Sequence, residues 1–260
     1  MRPEKKAAGF SLHPQVMPRL IGDSLIFIVI GLWWLASLGL PEFVMPSPLS
    51  VGKSLVALFI EPDQLIHVGA SFLRVIAAVC IAVALGTALA MLPWRWPVLR
   101  LVVHDGIRPV LNAFPSVGWA ILAVIWFQVS DVTVIFVEVA ILTPFCLINI
   151  DEGLKELDKE LTEMARSFTR SRFRTFIKLT LPLLTPYMIA AVRMSYGVGW
   201  KLALVAELFG TTKGLGFLLL QAQTIGDAST VFATCFTIVI MFIAGERLLL
   251  DPLARRFAAK

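Results

Sequence analysis

Long apolar runs without charged residues are the feature that most constrains this chain. Runs near the roughly 20 residues that a helix needs to cross a bilayer recur along the 260-residue sequence. Hydrophobic residues make up 58% of the chain and charged residues 16%, whereas soluble domains average roughly 45–50% apolar and about 25% charged residues. Because backbone polar groups in hydrocarbon must bond within the protein, these runs predict helices. We therefore predict an all-α membrane protein built as one polytopic domain.

Breaks between the runs predict six transmembrane helices. Only Ser130 and Asp131 separate the third helix from the fourth, and one helix through both would overshoot the hydrocarbon, so a tight hairpin is predicted there. The chain is thereby divided into an N-terminal segment (1–23), a transmembrane domain (24–250) with a loop at about 150–185, and a C-terminal tail (251–260). The predicted helices cover about 24–40, 72–93, 115–128, 132–149, 186–209 and 229–249.

The distribution of basic residues predicts the orientation of these helices. Six spans place both termini on one side of the membrane, and eighteen of the 23 lysines and arginines fall on that side. Only Lys53 and Lys213 fall on the opposite side. Since cytoplasmic loops carry an excess of lysine and arginine, both termini are predicted to be cytoplasmic. The net charge of +5 is then a topology signal, and no nucleic-acid partner is predicted.

Side chains that could carry catalysis or hold a metal are scattered along the chain. Cys80, Cys146 and Cys235 lie within apolar runs, and the three histidines are far apart. No nucleophile stands beside a base at a motif spacing. We therefore expect no catalytic residue and no metal site. A membrane-embedded enzyme is disfavoured, because it would need titratable residues clustered at one interface.

The loop between the fourth and fifth spans has a helical pattern of its own. Leu154, Leu157 and Leu161 recur at spacings of three and four with charged residues between them, which predicts an amphipathic helix on the cytoplasmic face. The apolar face of this helix must be buried against another surface. One interpretation is a helix lying on the lipid interface; the other is a helix that docks on a partner protein.

A spaced motif in the second half of this loop carries a family resemblance. The loop resembles the signature of permeases of binding-protein-dependent ABC importers, which reads Glu-Ala-Ala, three residues, Gly, nine residues, Ile-x-Leu-Pro. The spacing is intact, although threonine stands for the glycine and leucine for the isoleucine. The matching positions here are Glu163, Met164, Ala165, Thr169, Leu179, Leu181 and Pro182.

The resemblance extends over roughly residues 24 to 250 and is strongest to the branch that imports nitrate, sulfonates, taurine, bicarbonate and some thiamine-precursor or aromatic compounds. It implies the type I ABC importer permease fold in a bacterial inner membrane, with the loop as a cytoplasmic coupling helix. It also implies a second permease copy as a homodimer, two ABC ATPase subunits that bind ATP and Mg, and an extracytoplasmic substrate-binding protein, with no cofactor on this chain. The implied ATPase-coupling residues are Glu163, Met164, Ala165, Phe168, Thr169 and Pro182.

Charged residues inside the predicted spans are candidates for the translocation path. A charge at the centre of a span costs about 2.5–3.5 kcal/mol on insertion scales, so each should face protein, water or a partner. One hypothesis places Lys201, beside Trp200, in the path of an anionic solute and Glu207 at the external gate. The alternative pairs Lys201 with Glu138 to fix the packing of the fourth and fifth helices.

An ion-gradient-driven secondary transporter is the rival interpretation of the whole chain. That class usually carries internal repeats and helices broken near the membrane midplane, and we find no internal repeat. The signature loop separates the two classes, because a solitary carrier needs no docking helix for an ATPase.

Overall fold

The computed structural model describes residues 16–157 and 171–258, and all regular secondary structure in these ranges is helical. Helix α1 is Val16–Leu38, α2 is Pro48–Ile60 and α3 is Pro62–Arg95. The Ser47 hydroxyl caps α2 by accepting the amide of Ser50, and Pro48 follows at the first helical position. Helix α3 starts ten residues before its predicted boundary of 72, because Asp63, Gln64 and His67 occupy helical turns outside the apolar run.

The third predicted span is half of a bent element. After α3 come a 3₁₀ turn (Pro97–Leu99), a π-helical segment (Leu101–Ile107) and α4 (Arg108–Ala113), followed by α5 (Ser116–Phe127). The two halves meet at 90°, where Pro115 lacks the amide hydrogen that a continuous helix requires. Because α5 has only 12 residues, the predicted helix at 115–128 is too short to span the hydrocarbon without the segment before it.

The second half of the chain contains the longest apolar helices. Helix α6 is Asp131–Glu156, and α7 is Leu181–Gly210, which a π-helical segment (Phe176–Thr180) and one turn (Arg172–Thr175) extend at its start. Helix α8 is Leu215–Ile225 and α9 is Ala228–Gly245. A π-helical segment (Glu246–Leu250) continues α9 into α10 (Asp251–Ala258). Ser130 caps α6, which fits the turn predicted at 130–131. Asp227 caps α9.

Four helices of the described chain are long and apolar enough to cross a membrane, and the bent pair raises that number to five. The apolar part of helix α1, Ser24–Leu38, is shorter than these candidate spans. Most of its described side chains face outward, with Phe27 74% and Leu35 66% exposed, while Trp33 is half-buried and stacks on Phe232. In a membrane this exposed apolar surface faces lipid.

Helices α3, α6 and α7 form the centre of the molecule. They approach closely because glycine stands at their contacts, as is common between membrane helices. A Cβ at Gly86 of α3 would lie 2.8 Å from the backbone nitrogen of Leu147 in α6, and one at Gly210 of α7 would lie 3.0 Å from the Thr133 side chain. Gly199 of α7 packs against the side chains of Val75 and Leu142. The candidate site lies within this three-helix centre.

Candidate functional site

A buried arginine joins three helices at one end of the centre. Arg74 of α3 is 4% exposed, and its Nη1 donates to Glu207 Oε1 of α7 at 2.6 Å and to the carbonyl oxygen of Lys213 at 2.7 Å. Its Nε and Nη2 donate to Asp131 Oδ1 at the start of α6, at 2.9 and 2.5 Å, and Nη2 also donates to Thr211 Oγ1. All three nitrogens of the guanidinium are therefore bonded, which is the condition for burying this charge.

Glu207 extends this cluster to the start of α8. The residue is 1% exposed, and its carboxylate accepts bonds from Ser71 Oγ and from the amide of Gly216, each at 2.8 Å. The Ser71 hydroxyl in turn accepts the amide of Leu215 at 2.8 Å. The amides of Leu215 and Gly216 at the start of α8, which have no partner within the helix, thus donate to side chains of α3 and α7. We call Ser71, Arg74, Asp131 and Glu207 the ion cluster.

A glycine allows the chain to turn over the Glu207 carboxylate. Gly214 has φ of +118°, and a Cβ there would lie 2.6 Å from Glu207 Oε2. The Gly214 amide donates to His67 Nδ1 of α3 at 3.0 Å. Only glycine adopts this φ without strain and leaves room for the carboxylate. The turn between α7 and α8 is therefore built around Glu207.

Glu207 was predicted at the external gate, but its partners were not predicted. The structure brings Glu207 together with Ser71, Arg74 and Asp131, which are separated from it by 136, 133 and 76 positions in the chain. One signal was available, since Arg74 is a charged residue next to an apolar run and such residues require a partner in a membrane. The identity of that partner depends on helix packing.

Glu138 lies deeper in the same three-helix centre. The residue is fully buried, and neither carboxylate oxygen has a partner in the described part of the protein. It is seven residues beyond Asp131 on α6, which puts both on one face of the helix about 10 Å apart. The alternative pairing with Lys201 is wrong in this structure, because no ion pair joins them among the described residues and Lys201 is exposed.

No group of three or more His, Cys, Asp or Glu residues in the described ranges could hold a metal ion.

Comparison with known proteins identifies the chain. The family model described as the inner membrane component of binding-protein-dependent transport systems matches residues 82–256. The chain belongs to this family. It is similar to a probable ABC transporter permease of Brucella melitensis, at 24% identity over 88% of this chain and 93% of the relative. The taurine transport system permease of Escherichia coli is 27% identical over 82% of this chain and 80% of its own, and the nitrate import permease of Leptolyngbya laminosa is 27% identical over 90% and 84%.

Two adjacent residues of this permease on α7, Trp200 and Lys201, differ in their burial. Trp200 is 2% exposed and packs against Phe72 and Tyr196, with ring centroids 6.3 Å apart in each pair. Lys201 is exposed on the outer surface of the subunit. It lies nine residues, or about 13 Å, before the end of α7 at Gly210; with Gly210 taken as the border of a hydrocarbon layer about 30 Å thick, this depth is near the middle of the layer.

The helices that flank the signature loop are joined at the opposite end from the ion cluster. A Cβ at Gly153 of α6 would lie 2.6 Å from the Tyr187 ring of α7, so the ring packs directly against the α6 backbone. The Tyr187 hydroxyl donates to the Glu156 carboxylate. Near this contact, the buried Asp151 forms an ion pair with Lys155 at 2.6 Å and lies 3.6 Å from His104 Nε2.

Of the predicted coupling residues, only Pro182 falls in the described ranges. It is the second residue of α7 and is exposed. The other five, Glu163, Met164, Ala165, Phe168 and Thr169, lie outside the described residues.

Proposed function

We propose that this permease is the membrane-spanning subunit of an ATP-driven importer and is not itself an enzyme. Two copies form a homodimer, two separate ABC ATPase subunits bind ATP and Mg, and an extracytoplasmic binding protein delivers the solute. The observation that carries this proposal is the family match over residues 82–256, which runs through α6, the signature loop and α7. Arg74 and Ser71 lie just before that match, and the other residues of the ion cluster lie inside it.

Six spans with both termini in the cytoplasm are the proposed topology. The five candidate spans of the described chain are α3, the bent pair around Pro115, α6, α7 extended by its π-helical start, and α9 with its continuation. Helix α1 supplies the sixth, because its 23 residues are about 34 Å long at 1.5 Å per residue. An even number of spans keeps both termini on the side that carries most basic residues.

Helices α6 and α7 are the proposed mechanical link between the ATPase and the solute path. Each carries a residue of the ion cluster at one end, Asp131 and Glu207, and at the other end they are joined by Tyr187 and Glu156. Close packing in between means that the pair moves as a unit. A displacement of the loop that connects them, driven by closure of the ATPase dimer, would therefore reach the ion cluster across the membrane.

A charge reversal in the loop tests this link. We expect Glu163→Arg, placed at the proposed ATPase contact, to abolish co-purification of the ATPase with a tagged permease in mild detergent. Glu152→Arg is the matched control, because Glu152 is exposed on the last turns of α6 and carries the same charge. Loss of the ATPase from both variants, or from neither, would refute the assignment of Glu163 to the contact.

Lys201 is the residue we assign to the solute path. A lysine near mid-membrane that faced lipid would cost about 2.5–3.5 kcal/mol, so its exposed position requires a polar or protein surface opposite it. The second permease copy and an aqueous path between the two copies supply that surface. The positive charge suits a small anion, in keeping with the taurine and nitrate permeases among the relatives. The proposed solute is therefore a nitrate-like or sulfonate-like anion, with Trp200, Glu138 and Glu207 supporting the path or its gate.

Neutralising Lys201 tests the path. In a reconstituted complex, Lys201→Met should lower uptake of labelled nitrate or taurine while the ATPase stays bound and the protein melts at the same temperature. Lys53→Met is the control, since Lys53 is also exposed but lies on α2 away from the centre. Unchanged uptake in Lys201→Met would remove Lys201 from the path and leave the family assignment intact.

A further inference from the structure

A basic pocket lies where the last long helix ends. Arg247, Asp251, Pro252 and Arg255 line a pocket of about 310 Å³. It forms where the π-helical segment Glu246–Leu250 joins α10. Arg247, Asp251 and Arg255 follow one another at intervals of four residues, and residues four apart lie on one face of a helix. The two arginines therefore share one opening although they are eight residues apart.

The pocket carries two positive charges that have no counterion among the described residues. The one acidic side chain that lines it, Asp251, accepts a hydrogen bond from Nη2 of Arg193 on α7. Arg247 and Arg255 form no ion pair within the described ranges. Because Arg193 already offsets Asp251, the pocket suits an anionic ligand.

The depth of the pocket matches the phosphate layer of a bilayer. From Ala228 at the start of α9 to Arg247 is 19 residues, about 28 Å along the helix, and the hydrocarbon layer is about 30 Å thick. Arg247 therefore lies at the border of the hydrocarbon, and Arg255 lies beyond it. The leucines beside the pocket are exposed, with Leu248 at 73%, Leu249 at 48% and Leu253 at 41%. The opening is thus on the lipid-facing perimeter, where acyl chains would cover these leucines.

We propose that this pocket binds the phosphate of an anionic phospholipid. A guanidinium offers paired N–H donors that fit two phosphate oxygens, and Arg247 and Arg255 present two of them. The exposed leucines and the depth favour a lipid over a free phosphate, since a free ion would leave the apolar rim uncovered. Basic pockets between membrane helices on the cytoplasmic side are suited to such headgroups.

Lipid retention by the purified permease tests the site. Native mass spectrometry of the protein in detergent with added phosphatidylglycerol should show lipid that stays bound when the protein is released from the detergent micelle. Phosphatidylcholine should be retained far less. The double variant Arg247→Gln/Arg255→Gln should lower phosphatidylglycerol binding by roughly 30-fold, as each basic residue near an anionic surface contributes about five-fold. The control Arg100→Gln/Arg174→Gln removes the same charge from exposed arginines outside the pocket and should bind like the native chain.

Three results would overturn the proposal. The first is equal retention by the double glutamine variant and the native chain. The second is equal retention of phosphatidylcholine and phosphatidylglycerol. The third is complete displacement of the lipid by inorganic phosphate, which would make the pocket a free-anion site. Arg247→Lys/Arg255→Lys guards against a folding defect, because it keeps the charge and should recover part of the binding; recovery of none would refute the electrostatic basis.

Discussion

Replacing Glu207 with alanine would remove the carboxylate that joins α3, α7 and α8. The Arg74 guanidinium, the Ser71 hydroxyl and the Gly216 amide would each lose an acceptor. Breaking a buried ion pair costs about 3–5 kcal/mol, and each further buried hydrogen bond contributes about 1 kcal/mol. Because Arg74 keeps Asp131 as a counterion, we place the loss of unfolding free energy at about 4 kcal/mol.

Two milder substitutions in the ion cluster should destabilise the protein less than Glu207→Ala. Glu207→Gln keeps the shape and one acceptor oxygen, so the loss should be about 2 kcal/mol, the size of one charged hydrogen bond. The Asp131 side chain is 70% exposed, and Asp131→Asn should cost less than about 1 kcal/mol because water screens that pair. The expected order of destabilisation is therefore Glu207→Ala, then Glu207→Gln, then Asp131→Asn.

Unfolding by sodium dodecyl sulfate in mixed micelles, followed by circular dichroism, would measure these losses. Glu207→Ala should lose helicity at the lowest detergent fraction, Glu207→Gln at a higher fraction and Asp131→Asn closest to the native chain. A cost for Asp131→Asn equal to that of Glu207→Ala, or a cost below about 1 kcal/mol for Glu207→Ala, would refute the argument that a buried ion cluster holds these helices together.

Further variants test the helix packing, the turn at Gly214 and the buried carboxyl of Glu138. Gly86→Ala should cost about 2–3 kcal/mol by overpacking α3 against the α6 backbone, while Gly69→Ala on the same helix meets open space and should be neutral or stabilising; equal effects would contradict the close contact. Gly214→Ala should cost about 3 kcal/mol, because the new Cβ would be strained at positive φ and would collide with the Glu207 carboxylate. Gly226→Ala should cost only about 1 kcal/mol, because φ is also positive there but the space is empty. Similar melting shifts for the two variants would contradict the collision at Gly214. Glu138→Gln should leave the melting temperature unchanged or higher and reduce uptake, since functional residues often cost stability; a less stable variant with normal uptake would make Glu138 structural.

Composition and periodicity were sufficient to predict an all-helical membrane protein and the hairpin between α5 and α6. Both depend on local physics, namely the length of apolar runs and the Ser130 cap. Helix ends were less predictable. Helix α6 continues seven residues past the predicted end at 149, and the ion pair between the buried Asp151 and the exposed Lys155, four residues apart, stabilises these added turns.

The missed elements share a physical cause. Helix α2 has 13 residues with Lys53 near its centre, and α8 has 11 residues, so neither forms a run long enough to be recognised as a span. The bent element before α5 contains Arg100, Asp105 and Arg108, which interrupt its apolar character.

The pairing within the ion cluster could not be predicted from the sequence. Arg74 and Glu207 are 133 positions apart, and no local pattern states which charges meet when helices pack. The wrong pairing of Lys201 with Glu138 came from the same limit, since opposite charges on neighbouring helices were assumed to face each other. In the structure, Lys201 is exposed while Glu138 is fully buried.

The energy source for transport is the most direct test of the central claim. The permease, its ATPase and its binding protein would be reconstituted in liposomes, and uptake of labelled nitrate or taurine measured with and without ATP in the presence of ionophores that collapse ion gradients. The account predicts uptake that requires ATP and both partners and that survives the ionophores. Uptake by the permease alone, driven by an ion gradient and abolished by the ionophores, would contradict it.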